Sequence, residues 1–110
     1  MRLPNAERAV VDIEKLRDYC LSPEHPRGRH KARVFAAALG LTADHAELLR
    51  EALLGAARRE DALLVEQDSY GDRYVIEWMM SGPAAQGRVH SSWIVRRGED
   101  FPRLTTCYAL

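Results

Sequence analysis

The sequence predicts an α+β fold in which about three N-terminal helices pack on a four-stranded antiparallel meander. Three observations carry that prediction. Up to about Arg59 apolar residues recur at spacings of three and four, the helical period. From Ala62 onward the period falls to two, as in strands that turn alternate residues to opposite faces. Turn-rich clusters at Ser69–Asp72, Ser81–Gly87 and Arg97–Asp100 then divide the extended part into four runs. Helices that precede strands, rather than alternate with them, segregate to one face of the sheet.

Each element has its own reason. In residues 1–11 Leu3-Pro4-Asn5 reads as an extended lead-in with a turn, and Ala9-Val10-Val11 as a short strand or a core-packing segment. Asp12 is placed to cap a helix that carries Ile13, Leu16 and Cys20 on one face and stops before Pro23. A second helix is expected from His30 to Leu39, with Val34, Phe35 and Ala38 inward and Gly40 as its stop. Thr42 caps a third, Ala43 to Arg59, whose stripe is Leu48, Leu49, Ala52, Leu53 and Ala56. The strands follow from Leu63 to Gln67, Arg73 to Met80, Arg88 to Arg96 and Phe101 to Leu110. Alternation puts Val89, Ser91, Trp93 and Val95 on one face of the third strand, and His90, Ser92, Ile94 and Arg96 on the other.

A chain of 110 residues is expected to form one domain, residues 1–110. Its formal net charge of zero argues against a protein that coats nucleic acid non-specifically, but leaves room for a local basic patch. The two cysteines, Cys20 and Cys107, sit among apolar neighbours and in no CxxC or Cys/His pattern. They read as reduced, buried thiols of a cytoplasmic protein, although a disulfide between them stays open. The N-terminus lacks the apolar core of a signal peptide, and no window has the length or apolarity of a membrane span. Neither GxGxxG, a Walker loop, HExxH nor GxSxG is present, so no cofactor is expected.

The densest chemistry lies in SPEHPRGRHKARVF, residues 22–35. His25, Arg27, Arg29, His30, Lys31 and Arg33 crowd a Pro/Gly turn that feeds a helix N-terminus. Unpaired backbone N–H groups and cationic side chains there suit an anion such as phosphate. A charged loop that is merely solvated, or paired with acidic residues, fits the same composition. His25 and His30 lie five apart with no carboxylate or thiol to complete a ligand set, so no metal site is expected. A second polar group lies in the last two strands: His90 and Ser92 on one face of the third, and Arg103 on an otherwise apolar fourth. Set beside Lys31, these would supply a cation and general acid–base groups, which metal-free RNA cleavage requires. A sheet side that simply faces solvent would look the same.

Four segments together carry a family resemblance. Leu3-Pro4-Asn5-Ala6-Glu7, the pattern HPxGxHKAxxF from His25 to Phe35, Ser92-Trp93-Ile94-Val95, and PRLxTxY from Pro102 to Tyr108 resemble a small bacterial family of stand-alone proteins and C-terminal toxin domains. The HPxGxHKAxxF stretch is the most specific. More distantly, the chain is similar to the barnase–EndoU–colicin–RelE class of toxin ribonucleases. That likeness implies helices before a four-stranded antiparallel sheet and a mostly metal-free site at Lys31, Arg103, Thr106 and Tyr108, with His30 and His90 as additions. His25, Arg27, Arg29 and Arg33 would then bind phosphates. The implied activity is a metal-independent endoribonuclease with RNA as substrate and a small cognate protein, of antitoxin or immunity type, as partner. A non-catalytic binding module (antitoxin, immunity protein or adaptor) and an RNA-binding domain are the alternatives. No membrane role is implied.

Overall fold

The structure is a computed structural model describing residues 1–110. Three helices precede a four-stranded antiparallel sheet, as the change of period predicts. The helices are α1 (Ile13–Lys15), α2 (Arg29–Leu39) and α3 (Ala46–Arg59). The strands are β1 (Leu63–Gln67), β2 (Gly71–Ser81), β3 (Gln86–Arg96) and β4 (Pro102–Ala109), in spatial order β1-β2-β3-β4. No helix is long and apolar enough to cross a membrane.

Asp12 caps α1, its side chain accepting from the Glu14 N–H at 2.9 Å. The helix does not continue as a regular α-helix to Leu21. Leu16–Cys20 form a π-helical turn, closed by Leu21 N–H to Leu16 C=O at 2.9 Å. The wider turn brings Leu16, Cys20 and Leu21 together into the core, all at most 1% exposed. Gly40 ends α2 in the left-handed region at φ 77°, where glycine has no Cβ to clash. Thr42 and His45 form a reciprocal cap on a 3₁₀ turn, Ala43–His45, that leads into α3. Two expected core residues face outward. Val34 is 40% and Leu48 43% exposed, because the buried rows run Ala32-Phe35-Leu39 and Ala46-Leu49-Leu53-Ala56, with Val34 and Leu48 about 100° off them.

The helices cover one face of the sheet. Tyr74, Ile76, Trp78 and Met80 of β2 pack there with Val89, Ser91 and Trp93 of β3 and Leu104, Cys107 and Ala109 of β4. Trp78 and Trp93 are core residues, 7% and 0% exposed. The one buried polar side chain of this layer is satisfied: Ser91 Oγ donates to Ile76 C=O and accepts from Trp93 Nε1, each at 2.9 Å. The outer face carries Glu77, His90, Ser92 and, through the register of β3 with β4, Arg103, Thr106 and Tyr108.

Strict alternation would put Arg103 with Cys107 and Thr106 with Leu104. A bulge prevents this. Ser92 pairs with Thr106 but Trp93 with Leu104, so Thr105 is the extra residue. Arg103, Thr106 and Tyr108 therefore share the outer face, while Leu104 and Cys107 turn inward. The N-terminal segment resolves both ways: Leu3, Ala6 and Val11 are buried, and Val10 makes a parallel bridge to Arg103 on the β4 edge. On the opposite edge β1 is exposed throughout.

Candidate functional site

α2 packs against β4 and aims Lys31 at the sheet. Lys31 Nζ donates to Thr106 Oγ1 at 2.8 Å, and lies 5.1 Å from the Tyr19 ring centroid and 6.0 Å from that of Tyr108. The π-helical turn presents Tyr19 from the other side. Across the sheet, His90 and Tyr108 are direct neighbours, and their rings stack with centroids 4.5 Å apart and planes 13° apart. His90 Nδ1 is 2.7 Å from Glu77 Oε2, and Nε2 is 3.2 Å from Ser92 Oγ. Four elements, α2, β2, β3 and β4, thus place an ammonium, a carboxylate, an imidazole, a phenol and two hydroxyls in one continuous network. The His90 hydrogen bond, helped by Arg88, holds the Glu77 carboxyl below the usual carboxylate range against the effect of its partial burial.

Beside Thr106 the surface opens into a groove of about 660 Å³, lined by Lys15, Tyr19, His25, Lys31, Thr105 and Thr106 together with three carboxylates, Asp12, Glu14 and Asp18. Lys15 Nζ donates to the carbonyls of Thr105 at 3.1 Å and Leu104 at 3.4 Å, which fixes the bulged backbone on this flank. Cys20 and Cys107 are buried and unbridged. Hydrogen bonding to Cys107 lowers the Cys20 thiol to about 7 despite burial, with Lys31 and Lys15 assisting. The same contact and burial push Cys107 well above the ordinary thiol range.

Of the residues singled out in the sequence, Lys31, His90, Thr106 and Tyr108 come together. Arg103 shares their face but is engaged elsewhere: its guanidinium makes two 2.9 Å bonds to Glu99 and lies 5.0 Å from the Phe101 centroid. The side chains of His30, Arg27, Arg29 and Arg33 are exposed and make no hydrogen bond or ion pair. His25 turns back on its own loop, where Nδ1 accepts from the N–H groups of Arg27 and Gly28 at 3.0 Å each. The basic residues do not converge on one anion. Two positions along a helix is about 200° of rotation, so Lys31 points to the sheet while Arg29 and Arg33 line a separate hollow with Leu21 and Leu41. No three His, Cys, Asp or Glu side chains cluster as a ligand set would.

Glu77 and Tyr19 were not legible as site residues. Glu77 is a lone carboxylate in the apolar run YVIEWMM, which marks an outward position, but only the register of β2 on β3 brings it opposite His90.

Over residues 2–110 the sequence matches a family described as Domain of unknown function (DUF6883). The chain belongs to that family. The match takes in both the HPxGxHKAxxF stretch and the PRLxTxY strand, so it spans the helix and the strand that meet at Lys31 and Thr106. No curated protein matches the sequence. In fold this family member is similar to a chain of a contact-dependent growth inhibition toxin–immunity protein complex from Klebsiella pneumoniae 342. The TM-score is 0.68 at 19% identity, over 94% of this chain and 95% of that one. At that identity the likeness is one of fold.

Proposed function

We propose that this single-domain protein is a metal-independent endoribonuclease of toxin type. The observation that carries the proposal is the meeting of Lys31, from the helical layer, with His90, Thr106 and Tyr108 on the open face of the sheet. In-line RNA cleavage forms a bond from the 2′-oxygen to phosphorus and breaks the bond to the 5′-oxygen, leaving a 2′,3′-cyclic phosphate and a 5′-hydroxyl. His90 takes the proton of the 2′-hydroxyl. Tyr108 returns a proton to the leaving oxygen. Lys31, with Thr106, holds the non-bridging oxygens, where negative charge grows. Arg27, Arg29 and Arg33, free of ion pairs, are available to flanking phosphates. The fold likeness to a component of a toxin–immunity complex supports the toxin setting and a small cognate protein as partner.

The test is incubation of the purified protein with total RNA in EDTA, beside Lys31→Ala and His90→Ala. Cleavage by the wild type is expected to fall about 10²-fold or more in each variant, the usual scale for one acid–base or charge-stabilising group. A folded wild type that leaves RNA intact overturns the proposal. That outcome favours the second reading, a non-catalytic binding module, which has one observation of its own: the exposed β1 edge with Leu63, Leu64 and Val65, a surface suited to pairing with a partner strand.

A further inference from the structure

We propose that Glu77 is the positioning residue for His90, fixing which ring nitrogen is free to take a proton. The inference rests on the ribonuclease reading only in assigning His90 a proton-transfer role; the pairing itself stands on geometry. Glu77 and His90 are directly opposite on β2 and β3, with Oε2 2.7 Å from Nδ1. A carboxylate only accepts, so the hydrogen on Nδ1 belongs to the ring. A neutral imidazole then has a bare lone pair on Nε2. The neighbour of Nε2 is Ser92 Oγ at 3.2 Å, whose hydroxyl donates to it and marks where a substrate hydroxyl would be received. Ser92 pairs across the strands with Thr106, the residue that accepts from Lys31 Nζ.

The ring is held in this orientation. It stacks on Tyr108, and its side chain is 15% exposed. The charged and titratable groups around it are Glu77 from β2, Arg88 from β3, Tyr108 from β4 and, beyond the phenol, Lys31 from α2. Arg88 Nη2 steadies the other Glu77 oxygen at 3.4 Å. When Nε2 accepts a proton, Glu77 balances the new imidazolium while Lys31 opposes it. Removing the carboxylate therefore makes the protonated ring harder to form. That slows the proton-abstraction step.

Two measurements on the intact chain test this. The first is kcat and KM, measured separately for RNA cleavage by the wild type, Glu77→Gln and Glu77→Asp. Glu77→Gln is expected to lose about 10–100-fold in kcat with KM unchanged, a loss partly rescued in Glu77→Asp. A merely structural role would move KM and kcat together, so an unchanged kcat, or a loss shared with KM, overturns the proposal. The second is long-range ¹H–¹⁵N NMR of the His90 ring at neutral to alkaline pH. The Nδ1–H tautomer is expected in the wild type and a shift toward Nε2–H in Glu77→Ala. An Nε2–H wild type overturns the pairing whether or not RNA is cut. An Nδ1–H wild type that cuts no RNA, and loses that tautomer in Glu77→Ala, supports the pairing and overturns only the ribonuclease reading.

Discussion

His25 spends its imidazole on its own turn. One lone pair accepts two backbone N–H groups, the arrangement that Asn and Asp side chains more often supply. Replacing it with Ala leaves both donors to water, so His25→Ala is expected to cost about 1–2 kcal/mol in denaturant unfolding. Gly28, next in the turn, has a stricter requirement. A Cβ there would sit inside the Tyr19 carbonyl, which is main chain and cannot swing away. Gly28→Ala is expected to cost about 1–3 kcal/mol in denaturant unfolding and to displace Tyr19 from Lys31; equal stability would contradict the turn as described. His25 and Arg103 show what composition leaves out. The sequence displays a donor or acceptor but not its partner. His25 is consumed locally, and Arg103 is paired with Glu99 four residues away in a turn whose geometry no periodicity announces.

At the scale of the element, α2 sorts its cations by face. Lys31 reaches β4, while Arg29 and Arg33 stay in solvent on another side. On the ribonuclease reading, Arg29→Ala and Arg33→Ala should each weaken RNA binding and reduce the slope of log affinity against log salt by about 0.7, the value per phosphate on a single strand, with kcat retained. An unchanged slope would place them outside the RNA path. This sorting was legible: the two positions from 31 to 29 or to 33 are about 200° of rotation as soon as the helix is drawn. The β4 bulge was not. Its extra residue, Thr105, is stabilised by Ser92 C=O, which accepts from its hydroxyl at 3.0 Å, and by Lys15 from the far end of the chain. Alternation read from PRLTTCY alone therefore splits Arg103 from Thr106 and Tyr108, which the bulge puts on one face. The helices, the strands and the outward aspect of His90 were all legible because periodicity encodes them. Register is set by tertiary contacts and was not.

For the whole molecule, acid is the informative stress. Arg17, Arg73, His90, Arg103 and Arg8 respectively hold Asp18, Asp68, Glu77, Glu99 and Asp100 below the ordinary carboxylate range, chiefly by hydrogen bonding. A carboxyl depressed in the folded state contributes stability that is present above its unfolded value and lost as pH falls through its folded one. Tm is therefore expected to hold from pH 7 to about 5 and to drop below about 4, less steeply in 1 M salt, where exposed pairs are already screened. A Tm flat to pH 2 would show that these pairs contribute nothing. The Lys31–Thr106 contact spans 75 residues, and closing a loop of that length costs about 4 kcal/mol of chain entropy beyond a constant term. Local helix formation cannot offset this; only the docked sheet can. A ribosome that has already released Lys31 must still deliver all four strands before the ammonium meets its hydroxyl. A nascent or clipped chain without β4 thus lacks both the Thr106 hydroxyl and the Tyr108 ring, and the finished protein gains its cluster in a single late event.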